Sequence, residues 1–171
     1  GTFGAPRLES FGVLGAALTV ADFDRDGRDD VALFSELRGV TVIAYTQPDG
    51  TFQPAAPVET PHVSALVAFD LQGDASPDLL VTNQRDDLLI VLANDGHGLL
   101  QPVRQTLVGA GPTVMAATVS NDDARAHVVL GGYSGAMTHW RLPAATGWSQ
   151  VFRPDVHVTP LDAPLVLVAA Q

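Results

Sequence analysis

The stretch Asp22-Phe-Asp-Arg-Asp-Gly-Arg-Asp-Asp30 decides the fold, because carboxylates alternate along it and an apolar run follows at once. The backbone carbonyl of Arg28 is available at position 7, and four aspartates stand at positions 1, 3, 5 and 9: Asp22, Asp24, Asp26 and Asp30. Alternate side chains of a curled backbone point at one centre, and a shell made of oxygen atoms suits Ca²⁺ better than zinc or copper. Magnesium fits less well because it resists losing its waters. The stretch therefore predicts a calcium-binding loop.

The residues after the loop separate it from an EF-hand, which begins with the same pattern. An EF-hand needs a bidentate Glu at position 12 and flanking helices, whereas position 12 here is Leu33. Leu33 belongs to Asp30-Val-Ala-Leu-Phe34, a run that predicts a strand. Gly27 at position 6 permits the sharp turn. The loop is therefore expected to connect two strands and to close at position 9.

A second loop, Asp70-Leu-Gln-Gly-Asp-Ala-Ser-Pro-Asp78, repeats the pattern 48 residues further along the chain. Its candidate ligands are the Ser76 carbonyl and four side chains: Asp70, Gln72, Asp74 and Asp78. The neutral Gln72 replaces one charge of the first loop, and Ala75 replaces the glycine at position 6. We therefore expect this second site to bind Ca²⁺ more weakly than the first.

The two loops belong to an internal repeat of about 49 residues. Similar segments begin at Gly1, Gly50, Gly98 and Gly147, with spacings of 49, 48 and 49. The repeat divides the propeller segment, 1–171, into units of about 1–49, 50–97 and 98–146 and a partial unit, 147–171. In the third unit the first loop position is Val119, which has no side-chain oxygen. The loop from Val119 to His127 is therefore expected to bind no metal.

Each unit contains four short apolar runs bounded by turn residues, without helical periodicity. The predicted strands are 17–23, 30–34, 40–45 and 52–58 in the first unit, 65–69, 78–82, 88–92 and 100–107 in the second, and 114–119, 126–130, 136–142 and 148–158 in the third. Four strands in every repeat predict an all-β fold made of β-propeller blades, each of four antiparallel strands. A further fourth strand at 3–9 and first strand at 165–169 leave three complete blades with partial blades at both ends.

Composition excludes several classes of function. The 19 acidic residues outnumber nine basic residues, all of them Arg, so the chain lacks the basic face that nucleic acid requires. Eight of the acids lie in 22–30 and 70–78, where a cation could neutralise them. No apolar run is long enough to predict a membrane-spanning helix. The five His lack the paired spacing of a metal site or a catalytic base, and we expect no enzyme activity.

The sequence resembles the FG-GAP or VCBS repeats found in integrin α-subunit propellers and in many bacterial secreted proteins. The resemblance is carried by Phe11-Gly12, by Gly15-Ala-Ala17 and by the runs from Ala21 to Leu33 and from Phe69 to Val81, and it extends in phase over the chain. It implies a seven-bladed propeller, with Ca²⁺ in the loop between the first and second strands of a blade and a ligand bound elsewhere on the ring. The degenerate third loop and the incomplete blade count depart from the family pattern.

These observations together predict a calcium-binding β-propeller module for recognition or adhesion of a protein or glycan, outside the cell, at the cell surface or in the periplasm. Calcium is expected to be structural, with the first of two sites the stronger. Two alternatives are a lectin, in which pockets between blades bind monosaccharides, and a non-catalytic accessory domain of a secreted enzyme. Four aromatic residues could stack on sugars or anchor a partner, although we expect them to fill the gap between blades: Tyr133, His139, Trp140 and Trp148. The further partners expected are the remaining blades of a larger ring or a second chain.

Overall fold

Short apolar runs between turn residues form antiparallel strands, because each run is long enough for one pass across a sheet and each turn reverses the chain. The computed structural model describes residues 15–109, 111–119, 126–133, 135–142 and 157–160, together with residues 5, 10, 11 and 13. Every regular element in these residues is a β-strand, and the strands form three consecutive sheets. Within the same residues no helix is long and apolar enough to cross a membrane.

The first sheet contains β1 (Ala17–Ala21), β2 (Asp30–Ser35), β3 (Val40–Thr46), β4 (Phe52–Pro54) and β5 (Val58–Glu59). The order is β1-β2-β3-β4, and β5 also pairs with β3. The predicted strand 52–58 is thus interrupted, because Pro54 and Pro57 lack the N–H groups that a continuous ladder uses. The N–H of Ala55 still donates to the Ile43 carbonyl at 2.7 Å, which holds the interrupted segment on the sheet.

The second and third sheets each contain four strands in sequence order. The second is built from β6 (Val63–Phe69), β7 (Asp78–Asn83), β8 (Leu88–Asn94) and β9 (Leu100–Leu107). The third is built from β10 (Pro112–Val119), β11 (Ala126–Gly132), β12 (Ala136–Leu142) and β13 (His157–Pro160). Neighbouring strands are antiparallel throughout.

The predicted strands agree with the observed ones to within two residues in the first three strands of each sheet. The predicted fourth strand of the third sheet, 148–158, meets β13 at residues 157 and 158, and its earlier part lies outside the described residues. The predicted strands 3–9 and 165–169 also lie outside the described residues.

The hydrophobic core lies between the sheets, because the middle strands are apolar on both faces. In β7, the fully buried Leu79 and Val81 pack toward the first sheet, against residues such as Phe34. Leu80, between them in sequence, packs on the opposite face toward the third sheet and Trp140. Side chains alternate along a strand, so one strand supplies both cores. Each fully buried leucine contributes about 1.5–3 kcal/mol relative to an exposed one.

Three antiparallel sheets, stacked face to face and joined in sequence, are β-propeller blades, and in the first of them β4 and β5 together occupy the place of the fourth strand. The first strand of each sheet contacts the first strand of the next, β1 against β6 and β6 against β10. The fold class predicted from the repeat is therefore confirmed. The first sheet also has a face that turns away from the second, on which Leu18 and Val20 are 60% and 51% exposed.

Candidate metal centre

The loop from Asp22 to Asp30 joins β1 to β2, and its aspartate side chains make hydrogen bonds with the backbone of the loop. The Asp22 carboxylate accepts hydrogen bonds from the N–H groups of Asp26 at 3.0 Å and Gly27 at 2.9 Å. The Asp24 carboxylate also accepts from the Asp26 N–H, at 3.2 Å. Such side-chain acceptors replace the ladder bonds that a turn cannot make. The loop is therefore curled around its own carboxylates.

Three carboxylates converge in this curl. Asp22, Asp24 and Asp30 each offer an oxygen within 4.8 Å of the others. Asp22 and Asp24 are half-buried, whereas Asp30 is fully buried at the start of β2. Among the described residues this is the one group of three or more acidic or imidazole side chains with such convergence. Its donor set is all oxygen, which is the chemistry that Ca²⁺ prefers.

Asp30 is held in place from both sides. Its Oδ2 accepts from the Phe23 N–H at 3.0 Å, and its Oδ1 accepts from the Thr46 N–H at 2.8 Å, at the end of β3. Burial raises the pKa of this carboxyl, the two backbone N–H groups oppose the rise, and the charge of Asp24 adds to it. A buried, partly desolvated carboxylate beside another carboxylate gains most from a bound cation.

Asp26 does not join the converging group. Its carboxylate pairs with the Arg28 guanidinium and accepts the Arg28 backbone N–H at 2.9 Å. The Arg28 Nε donates to the Thr46 carbonyl at 2.9 Å, which fixes the guanidinium against the end of β3. Of the four carboxylates predicted to bind the metal, the structure therefore brings together Asp22, Asp24 and Asp30.

Both loops contain two left-handed residues at the same positions. Position 4 is Arg25 with φ 63° in the first loop and Gly73 with φ 70° in the second. Position 6 is Gly27 with φ 86° and Ala75 with φ 64°. The sequence predicts a sharp turn at the glycine of position 6, but it did not predict a left-handed residue at position 4. Each loop thus places a glycine at one left-handed position and accepts strain at the other.

The second loop folds in the same way without gathering its carboxylates. Asp70 accepts four backbone hydrogen bonds, between 2.7 and 3.2 Å, three at Oδ1 and one at Oδ2: the donors are Gln72, Gly73, Asp74 and Ala75. Asp74 accepts from the Ser76 N–H at 2.9 Å. Asp70, Asp74 and Asp78 do not form a group within 4.8 Å. The residues of the first loop therefore fit a calcium ion better than those of the second.

Asp78 repeats the position of Asp30. It is fully buried, and its two oxygens accept from the N–H groups of Leu71 at 3.1 Å and Asn94 at 2.9 Å. Burial raises the pKa of Asp78 to about 6, against the opposing effect of the two N–H donors. Asp78 therefore ties the loop to the end of β8 through hydrogen bonds. The sequence predicted Asp78 only as a metal ligand and gave no sign of this second role.

Two short motifs of the family resemblance, the Phe-Gly pair and the Gly-Ala-Ala run, lie before the first loop and pack against the first sheet. Phe11 of the Phe-Gly pair packs edge to face on Phe52 of β4, with ring centroids 5.4 Å apart. Gly15 lies against Leu33, and a Cβ atom at Gly15 would lie 2.5 Å from the Leu33 Cδ1 atom. The N–H of Ala16 donates to the Phe34 carbonyl at 2.9 Å and extends the pairing of β1 with β2. Small residues here let the chain entering the blade lie close to β2.

A groove lies at the opposite end of the strands from the loops. This groove, which we call the turn groove, has a volume of about 380 Å³ and is lined by Glu36, His62, Val63, Gln84, Arg85 and Tyr133. The turns after β2, β7 and β11 all contribute to it, so it spans three blades. Arg85 Nη1 and His62 Nε2 are 3.0 Å apart, and the Tyr133 side chain is 80% exposed.

The aromatic residues noted in the sequence have different environments. Trp140 is buried between the second and third sheets, and its indole N–H donates to the Thr138 hydroxyl at 2.9 Å. It is therefore a core residue. Tyr133 is exposed in the turn groove, and Trp148 lies outside the described residues. In the third loop, residues 120–125 also lie outside the described residues.

Residues 22–81 match the model of the FG-GAP-like repeat, which confirms the resemblance over that part of the chain. None of the curated proteins matches. Among 47 matching chains of solved structures is a crystal structure of BBS1N in complex with ARL6DN, soaked with mercury. It aligns with a TM-score of 0.50 and 12% identity over 88% of this chain, which spans 55% of that chain. At this identity the likeness concerns the fold alone, and it agrees with the blade architecture.

Proposed function

Because residues 22–81 are an FG-GAP-like repeat within β-propeller blades, we propose that the chain is a calcium-stabilised recognition module that binds a protein or glycan outside the cytoplasm. The observation that carries the calcium part is the convergence of Asp22, Asp24 and Asp30 within 4.8 Å. Calcium supplies positive charge among carboxylates that would otherwise repel one another.

The role proposed for calcium is structural. The ligands come from the end of β1 and the start of β2, so an ion would tie the first hairpin of the blade together. Asp30 is fully buried, and its backbone partners Phe23 and Thr46 leave its position fixed. Since the folded state assembles these ligands and the unfolded chain does not, bound calcium raises the free energy of unfolding.

Thermal unfolding in excess chelator and in increasing Ca²⁺ tests this proposal. The Asp24→Asn variant should lose most of the calcium-dependent rise in Tm, because it removes one ligand charge while its amide oxygen can still accept the Asp26 N–H. Asp29→Asn is the matched control, since it removes one charge from the same loop outside the converging group. A native protein whose Tm does not respond to Ca²⁺ would contradict the proposal.

The second loop provides a graded comparison. Asp74→Asn keeps an acceptor for the Ser76 N–H and removes one charge. We expect it to change the calcium response less than Asp24→Asn does, because the second loop does not gather its carboxylates. If Asp74→Asn removed the larger part of the response, the second loop would be the stronger site and the assignment would be reversed.

Glycan binding is a second candidate function, and the turn groove favours it. An exposed aromatic ring beside carboxylate, amide and guanidinium groups offers both a stacking face and hydrogen-bond partners for a sugar, and Tyr133, Glu36, Gln84 and Arg85 supply these groups. A glycan array with native protein and Tyr133→Ala tests it. Leu37→Ala is the control, because Leu37 is also 80% exposed and does not line the groove. Binding that survives Tyr133→Ala would exclude this groove.

A further inference from the structure

His127 and His139 form a close pair on neighbouring strands of the third sheet. The Nδ1 atom of His127 is 3.0 Å from the Nε2 atom of His139, and the ring centroids are 4.9 Å apart with the planes tilted by 44°. The register pairs His127 with Arg141 and Val129 with His139, so the two histidines are diagonal neighbours across β11 and β12. Diagonal neighbours on one face are close enough for long side chains to meet.

The pair lies on the face of the third sheet that turns away from the second. Val128 and Trp140, the sequence neighbours of the two histidines, are buried in the core shared with the second sheet. Since side chains alternate along a strand, His127 and His139 lie on the other face. Both are half-buried.

The same two positions carry other residues in the first two blades. By position in the repeat, His127 corresponds to Asp30 and Asp78, because it is the ninth residue of the third loop pattern. Pairing extends one residue further in the third sheet, so His127 is the second residue of β11 and pairs with Thr118. His139 stands where the buried Ile43 and Val91 stand, paired across from the middle of the second strand. The third blade has therefore replaced one carboxylate and one apolar side chain with imidazoles that meet.

The geometry of the two nitrogens suits a shared metal ion. Two ligand nitrogens on a tetrahedral Zn²⁺, each about 2.0–2.1 Å from the ion, lie about 3.3 Å apart. The observed separation of 3.0 Å needs a movement of a few tenths of an ångström to reach that value. Neutral imidazole is a preferred ligand of zinc, copper and nickel, whereas Ca²⁺ prefers oxygen.

We propose that His127 and His139 form a binding site for a divalent transition-metal ion of the Zn²⁺, Cu²⁺ and Ni²⁺ class. The site differs in ligand chemistry from the aspartate loops, and the proposal does not depend on calcium binding there. The strand β13 adds a related register position, since His157 pairs with His139 across the other side of β12. Histidine thus recurs at neighbouring positions of three adjacent strands.

The test uses the full chain in excess Ca²⁺, so that the aspartate loops are not competing for the added ion. Zn²⁺ or Cu²⁺ should raise the Tm of the native protein, and His139→Val should lose this rise. Valine is the residue of the second blade at this position, so the variant preserves the blade pattern. His62→Gln is the control, because His62 is an exposed histidine in the second blade, away from the pair.

Electron paramagnetic resonance of Cu²⁺ gives a second readout, and the spectrum of the native protein alone already shows whether imidazole nitrogens bind the copper. Coupling of the copper to two imidazole nitrogens, lost in His139→Val and kept in His62→Gln, is the expected result. The proposal would be overturned by a native protein that binds neither ion, by a copper spectrum without imidazole nitrogen, or by an equal metal response in His139→Val.

Discussion

The side-chain amide of Asn94 donates to the Phe23 carbonyl at 2.8 Å, and so joins the end of β8 in the second blade to the loop after β1 in the first. The same amide donates to the Pro77 carbonyl at 3.0 Å. The Asn94 side-chain oxygen accepts from the N–H groups of Gly96 at 3.1 Å and Gly98 at 3.0 Å. One buried side chain therefore satisfies backbone groups of two blades and of both aspartate loops.

Replacing Asn94 with alanine should lower the free energy of unfolding by about 3 kcal/mol, since a net hydrogen bond contributes about 1 kcal/mol and the partners left behind are buried. Urea unfolding with an unchanged m-value measures the loss. Thr46→Ala is the control at the same repeat position, where the hydroxyl makes one exposed bond to the Asp29 carbonyl. Equal losses in the two variants would refute a special role for Asn94.

Replacing Ala75 with glycine should raise the free energy of unfolding by about 0.5–1 kcal/mol. Ala75 has φ 64°, a left-handed conformation that costs a residue with a Cβ atom about 1–2 kcal/mol, part of which is offset by the greater freedom of glycine in the unfolded chain. Gly27→Ala, at the same loop position, should have the opposite effect. Nothing lies within 4 Å of a Cβ atom at Gly27, so that change reports on the backbone alone. A loss of stability in Ala75→Gly would contradict the conclusion that the left-handed backbone at Ala75 is strained.

The metal-free protein should lose stability as pH rises from about 4 to about 6. Burial raises the folded-state pKa of Asp78 to about 6, above the value near 3.9 of an unfolded aspartate. The folded state therefore binds this proton more tightly, so the contribution is fully present below about pH 4 and is lost as pH passes through 6.

Urea unfolding in chelator across this range, with Asp78→Asn as the reference, isolates the effect of Asp78. The native protein should become less stable relative to the variant between pH 4 and 6 and then stay constant. A native protein that gained stability over the same range, relative to Asp78→Asn, would show that the ionised carboxylate is the favoured form.

Replacing Gly98 with alanine should destabilise the protein by about 2–5 kcal/mol, the combined cost of a left-handed alanine and of overpacking. Gly98 has φ 84°, and a Cβ atom there would clash with the Tyr45 hydroxyl group, which donates to the Gly98 carbonyl from the first blade. Gly50→Ala, one repeat earlier, has φ 77° and open space, and should cost less.

A double-mutant cycle separates the two causes. Removing the ring in Tyr45→Ala relieves the steric clash, so the loss in the Gly98→Ala and Tyr45→Ala double variant should be smaller than the sum of the single losses. Additive losses would show that the backbone conformation, and not contact with Tyr45, makes glycine necessary.

The sequence was sufficient for features that depend on local pattern. Turn residues and apolar runs placed the first three strands of each blade, and the alternating aspartates identified the loop in which Asp22, Asp24 and Asp30 meet. The split of the predicted strand 52–58 also had a local cause, because both prolines are visible in the sequence. Two prolines three residues apart, each without a backbone N–H, could have predicted that this strand is interrupted.

Side-chain contacts between neighbouring strands and blades could not be predicted from the sequence pattern. His127 and His139 are 12 residues apart, which fits no metal-binding spacing within one element, and the antiparallel register of β11 and β12 brings them together. Asn94 could have been noticed through the repeat, because it follows Thr46 by 48 residues and both end a third strand. Its bond to Phe23 depends on how the blades stack, which a single chain pattern does not specify.

The outermost strands of the three sheets each contain a proline, Pro54, Pro102 and Pro160. In the first sheet the N–H of Ala55 points inward to Ile43, so the nitrogen of Pro54, one residue earlier, faces the open side of the sheet. A strand from another molecule that approached β4 would find no hydrogen-bond donor at the position of Pro54. Pro54 thus disfavours the addition of a further strand at this point of the first sheet, which is one way that edge strands avoid aggregation.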